Sequence, residues 1–369
     1  MRFNVVTTLS LLLYTNSYAL SFLKNDFRDT NNTFNFKASL DAKSNALAFD
    51  VFEQEWQKAP EHKTNNRALG NNYYEAYLEL GSLNIGVFKQ EQAQISMSDG
   101  FIDTWHASSK DFLSLLLNKN VYQDIDPASL QSNANHYKSY GLFIQKIFTL
   151  NSKHYFSAKL KLHYADKLNY IEVEGETNRE KFQGSFDYYY SGENLISNAP
   201  NRSDTAKGLG YGIDLEYIYT DESLYFYVGV FNLASHIYWE NVDLMHYDFD
   251  SEVIYMGSDG YNHYRPFGTG KYEYDVNFTQ KLPEYYRATL NYALSEKFSL
   301  GDNLDIYDGV TYNEVYGNTK VYGGRYKLGY IIENQNVVFG AYFKYISVEI
   351  SNSFGTANDI LQANCKISF

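Results

Sequence analysis

Apolar and polar residues alternate with a period of two throughout this chain, most cleanly at its end. Between Asp359 and Phe369, Leu361, Ala363, Cys365, Ile367 and Phe369 share one parity. Gln362, Asn364, Lys366 and Ser368 share the other. Successive side chains of a strand point to opposite faces, so the pattern specifies a strand with one apolar and one polar face. The pattern recurs. Leu78 and Leu80 oppose Glu75, Tyr77 and Glu79; Phe156, Ala158, Leu160 and Leu162 oppose Ser157, Lys159, Lys161 and His163. Ile213 and Leu215 oppose Asp214 and Glu216; Leu290 and Tyr292 oppose Arg287 and Asn291; Leu328 and Tyr330 oppose Arg325 and Lys327. A chain built this way is all-β.

Two features separate a membrane barrel from a soluble sandwich. The alternating stretches run about 10–14 residues, long for a globular sheet but suited to a tilted membrane strand. Tyrosines flank the apolar stretches, as at Tyr74, Tyr164, Tyr211, Tyr292, Tyr330 and Tyr322, the last read with Gly323 as part of an alternating strand, and aromatic girdles need such residues. The 37 Tyr and 25 Phe against 5 Pro point the same way. The mean hydropathy stays polar because only every second residue of a barrel wall meets lipid. We expect a single transmembrane antiparallel β-barrel of about 16 strands, with 14 and 18 as the neighbouring even counts. One strand is expected within His236 to Asp250.

Residues 1–19 read as a secretory signal peptide: Arg2, the apolar run Val5 to Tyr14, then Ser17-Tyr18-Ala19 as a small-x-small cleavage site. The barrel then occupies 20–369. The expected location is the bacterial outer membrane, with membrane lipid, lipopolysaccharide and the barrel-assembly machinery as partners. A net charge of −13 argues against nucleic acid. The single cysteine, Cys365, leaves no internal disulfide and reads as a packing residue. No cofactor is expected.

One segment breaks the strand period. Trp105, Phe112, Leu113, Leu116 and Leu117 fit a helical repeat, giving a short amphipathic helix near 103–118. It would plug or cover the barrel mouth, or lie on the membrane. Counting back from Phe369 as a periplasmic end makes Asn334-Gln335 and Ser295-Glu296 periplasmic turns. The same count puts Ile237 to Lys271 outside, and Gly100 to Asn135 on the periplasmic side or in the lumen.

The parity of the strands assigns an inner face bearing Glu75, Glu79, Lys159, Lys161, His163, Asp214, Glu216, Arg287, Asn291, Arg325, Lys327 and Lys366. So many ionisable groups would each cost several kcal/mol in a dry core, even after the surroundings relax. Either a wet channel removes that cost, with small solutes passing, or the groups pair across a plugged lumen that handles apolar ligands or serves as a surface scaffold.

Catalytic groupings are weak. His106-Ala107-Ser108 has a His-x-Ser spacing but opens the expected helix. Asn241, Asp243 and His246 weakly suggest an Asp/His protease site at a barrel mouth but lack its paired carboxylates. Gly208-Leu209-Gly210-Tyr211-Gly212 runs into a strand rather than the helix a phosphate cradle needs. Asp243, Asp248, Asp250 and Asp259 could share a calcium ion in an outer loop. We expect no enzyme.

A terminal strand ending in Phe369 resembles the assembly signal of bacterial outer-membrane barrels. Leu282-Pro283, Arg287, Tyr292, Leu294, Phe298, Leu300-Gly301 and Leu304 resemble the late strand pair of the long-chain fatty-acid transporter superfamily and its TraF-like and PorV-like relatives. That resemblance, over residues 281–369, implies a barrel near fourteen strands with a plugged lumen and lateral passage of apolar ligands. The Asn-Pro-Ala signature expected at a transporter's mature N-terminus is absent, the chain there reading Leu20-Ser21-Phe22.

Overall fold

The computed structural model describes residues 33–44, 66–102, 127–177, 182–191, 206–250, 252, 254–256, 258–264, 268–333, 336–343, 345–352 and 360–368. The signal segment 1–19, the helix near 103–118 and Phe369 lie outside the described residues. A single helical turn at 99–102 follows β3's end, with the Phe101 N–H donating to Ser98 Oγ.

The strands in chain order are β1 (Thr33–Ser44), β2 (Asn66–Leu80), β3 (Leu83–Met97), β4 (Ala128–Thr149), β5 (His154–Thr177) and β6 (Phe182–Ser191). Next come β7 (Lys207–Thr220), β8 (Leu224–Asp250), β9 (Ile254–Met256), β10 (Asn262–Tyr264), β11 (Gly268–Lys281) and β12 (Tyr285–Ala293). The last six are β13 (Phe298–Tyr307), β14 (Val310–Val321), β15 (Gly324–Ile331), β16 (Asn336–Tyr342), β17 (Ile346–Asn352) and β18 (Ile360–Ser368).

Sixteen of these form one antiparallel sheet, and fourteen close into a ring when β18 pairs with β1. The other two, β6 and β11, continue the lines of β7 and β12 upward: β6 is paired on both sides, to β5 and β8, and β11 pairs with β8. The upper part of β5 pairs with β6 and its lower part with β7. β8 pairs with β12 below and β11 above. The stretch His236 to Asp250 is therefore the upper half of β8, not a strand of its own.

The wall has two heights. β4, β5 and β8 have 22, 24 and 27 residues, whereas β15, β16 and β17 have 8, 7 and 7. The strands are thus less uniform than their sequence period implies. Short turns at Gly81-Ser82, Asp221–Ser223 and Tyr322-Gly323 sit on the same rim as Ser368. Short turns belong to the periplasmic rim. Ser295-Glu296 is on it, as expected. Ile331 and Asn336, the strand ends that flank Asn334-Gln335, stand on the opposite, outer rim, as do Gly100 and the start of β4. The reason is the turn between Tyr342, where β16 ends, and Ile346, where β17 begins: it adds one reversal to the count, and the Tyr322-Gly323 turn adds a second, which returns Ser295-Glu296 to the periplasmic rim.

Parity decides what each face meets. Leu78, Leu162 and Phe339 remain 52%, 54% and 54% exposed, while Glu75 on the other face of β2 is 3% exposed. Leu142, Ile144, Leu160, Leu290, Leu300, Leu328 and Val337 extend the same outward apolar belt. Such a belt, with polar groups inside and every ring strand paired, satisfies the conditions for crossing lipid.

Candidate luminal site

The inner face encloses a cavity of about 1130 Å3 that reaches the periplasmic rim at Ser223, Ser295 and Tyr322. Eleven of the twelve inner-face residues expected from parity line it: Glu75, Glu79, Lys159, Lys161, Asp214, Glu216, Arg287, Asn291, Arg325, Lys327 and Lys366. His163 also points inward, but into packed side chains. Its Nδ1 lies 3.1 Å from Ser139 Oγ and its ring meets Phe88 edge-on at 4.9 Å.

The charges are arranged as pairs. Lys159 on β5 reaches Glu75 on β2 at 2.8 Å, and Lys37 on β1 approaches the same carboxylate at 3.4 Å. Lys161 donates to Asn232 Oδ1 at 2.7 Å and sits 2.9 Å from Asp214. Asn232 has φ of 57°, a left-handed kink in β8 that turns its side chain inward. Its own Nδ2 donates to the Pro283 carbonyl at 3.1 Å. Lys327 is held between Glu314 at 2.6 Å and Glu349 at 3.0 Å, and the Tyr342 hydroxyl donates to Glu349. Glu216 accepts from the Tyr227 hydroxyl and the Gln145 amide, each at 3.1 Å.

Higher up, contacts cross the barrel. Lys43 at the outer end of β1 donates to Asp305 on β13 at 2.9 Å, and Lys43 is 1% exposed. Those strands stand six places apart in a ring of fourteen, so the bond spans the lumen. Arg287 grips the same carboxylate bidentately, at 2.5 and 2.9 Å. Beside it, Phe231, Tyr285 and Tyr307 stack at 4.3 and 4.9 Å, and Lys43 lies 4.6 Å over the Tyr307 ring. One level above, Asp308 receives Arg67 at 2.7 Å and Gln94 at 2.9 Å from the opposite wall.

The tall wall also closes on itself. Gln280 on β11 donates to Asn135 on β4 at 2.5 Å and accepts from the Trp239 indole at 2.9 Å. Trp239, Tyr137, Leu168, Ile237, Val242 and Leu282 fill the space beneath as a buried apolar cluster. The lumen is therefore a polar chamber open to the periplasmic rim, with a charged and aromatic constriction above it.

Lys43, Asp305, Lys37, Glu314 and Glu349 were missed by sequence reasoning, although each sits on the polar parity of its strand. The parity signal was available; which distant strand supplies the partner was not. The remaining sequence candidates do not converge. His106 and Ser108 lie outside the described residues. Asp243 is buried, His246 bonds Asp187 at 2.6 Å, and Asp259 bonds His263 at 3.0 Å. Among the described residues no three His, Cys, Asp or Glu side chains gather into a metal-holding group. Gly208, Gly210 and Gly212 are inward positions of β7, where a side chain would meet Ile237, Trp239 or His163.

A closed ring, an outward apolar belt and a polar interior define a transmembrane β-barrel of the outer-membrane type. No protein-family model and no curated protein matches the sequence. Solved structures similar to this chain include the TodX deltaS2S3 mutant monoaromatic hydrocarbon channel, at 11% identity over 93% of this chain and 90% of that one, TM-score 0.46. The Pseudomonas putida toluene transporter TodX is 12% identical over 96% and 94%, TM-score 0.39. A Pseudomonas aeruginosa FadL homologue is 10% identical over 91% and 88%, TM-score 0.36.

Proposed function

We propose that this barrel is a gated outer-membrane transporter in which a small polar solute occupies the chamber and passes when the constriction opens. The carrying observation is the Lys43–Asp305 bond across the lumen, seated on the Arg287 fork and the three-ring stack. An open porin has a continuous wet axis, whereas here two levels of side chains meet from opposite walls. The charged lining suits a polar occupant better than a fatty chain, whose burial among paired ions gains no apolar contact. Catalysis plays no part in this reading.

Single-channel recording in planar bilayers tests it. Lys43→Ala removes the crossing side chain and leaves the Arg287–Asp305 fork in place. The wild type should show rare, brief openings and the variant sustained current steps. Continuous identical currents from both proteins would reject a gate at this level. Silence from both, with folded barrel present, would reject luminal passage.

A further inference from the structure

The register of the short wall places like charges opposite one another. Lys320 on β14 faces Arg325 on β15, and Arg325 faces Tyr342 on β16. Tyr342 faces Ser347 on β17, and Ser347 faces Lys366 on β18. Lys366 faces Lys37 on β1, and only then does the row reach an acid, Glu75 on β2. Directly opposed residues of an antiparallel pair share a face, and all seven residues line the chamber.

Like charges directly opposite one another destabilise a sheet. This row contains two such pairs, Lys320–Arg325 and Lys366–Lys37, in a chain whose net charge is −13. Lys297, whose carbonyl accepts from the Lys320 N–H at 2.9 Å, extends the cationic side at the mouth. The mouth also contains Glu296 and Glu79, the latter accepting from the Thr33 hydroxyl at 3.2 Å. Lys37 lies 3.4 Å from Glu75, and Arg325 lies over the Tyr342 ring at 4.7 Å. The Ser347 position sits between Arg325 and Lys366 in the row, adding a hydroxyl donor.

We infer that this row is an anion-recruiting band, and that the solute of the proposed transporter is a small carboxylate or phosphate anion held at the periplasmic mouth between Arg325 and Lys366. This rests on the gated-transporter reading for its passage step, but not for its binding step. An anion seated between the Lys320–Arg325 pair and the Lys366–Lys37 pair screens the repulsion within each, and charge-assisted hydrogen bonds supply the affinity. The band follows the short wall from β14 to β1, so the anion meets it before reaching the Lys43–Asp305 constriction.

The full chain, purified in detergent at low ionic strength, is titrated with inorganic phosphate and separately with acetate by calorimetry. The wild type should bind at least one of them saturably. The Arg325→Gln/Lys366→Gln double variant should bind about tenfold more weakly, as expected for losing charge-assisted hydrogen bonds. Preference for phosphate or for acetate assigns the anion class. In anion-free buffer the double variant should keep the wild-type far-ultraviolet circular dichroism spectrum, which checks its folding. Equal binding by the two proteins, or binding of neither anion by the wild type, overturns the site. Detergent binding needs no open gate, so this result and the bilayer currents fail independently.

Discussion

Lys327 places an ammonium where only 2% of the residue remains exposed, with Glu314 and Glu349 as its neighbours. Removing one member of a buried ionic group leaves the others uncompensated, at about 3–5 kcal/mol. Lys327→Met should lower stability by that amount in urea unfolding of the detergent-folded barrel, and adding Glu349→Gln should restore part of it. Asp221 illustrates the opposite environment, an exposed periplasmic turn. Its Oδ1 accepts from the Ser223 and Leu224 N–H groups at 3.0 and 2.8 Å, and the Tyr219 hydroxyl donates to Oδ2 at 2.7 Å. The Tyr219 hydroxyl and the two backbone donors hold its carboxyl down at about 2, from an ordinary 3.8. A lowered pKa means that the turn's stabilisation is complete above pH 3.8 and is lost as pH falls through about 2. The Leu224 amide resonance should therefore titrate with a midpoint near 2, and Asp221→Asn should abolish that titration.

Among the elements, β4 shows how tightly neighbouring strands are fitted. A side chain at Gly141 would collide with the Leu162 carbonyl and with the Phe88 ring, which packs with Tyr77 and Phe143 inside the barrel. At Gly317 on β14 the nearest atom stands 3.6 Å away. Gly141→Val should cost about 1–3 kcal/mol, the usual price of overpacking, and lower the melting temperature. Gly317→Val should not, a contrast that thermal scans of the two variants would read directly. Strand identity and facing were legible in the sequence because each follows from a period of two, so Glu75 or Lys327 could be placed inward without a structure. Strand ends were less legible. Tyr322-Gly323 continues the alternation of β15 and yet forms a turn, with φ of 48° and 78°. Nothing in the pattern of β8 announces that its residues 224–250 are a single strand, because left-handed kinks at Asn232, Ala234 and Asn241 interrupt the alternation.

For the whole molecule, the outward belt decides the environment. Arginine at the midplane of a lipid-facing strand costs about 2–4 kcal/mol, and the cost fades toward the interfaces. Leu162→Arg should therefore impair folding into lipid vesicles by that amount, whereas Tyr261→Arg, at an exposed position on the outer side, should leave folding yields unchanged. A water-soluble fold would show no such difference. The luminal site was half legible. Parity supplied its lining, but the Lys43–Asp305 bond joins residues 262 positions apart, a pairing decided by ring closure rather than by local pattern. The unequal wall carries a consequence for the cell surface. Among the described residues, β4, β5 and β8 stand high on one side and β15 to β17 end early on the other, so the described part of the outer rim rises like a hood over one side. The low sill opposite leaves the outer end of the described wall open sideways.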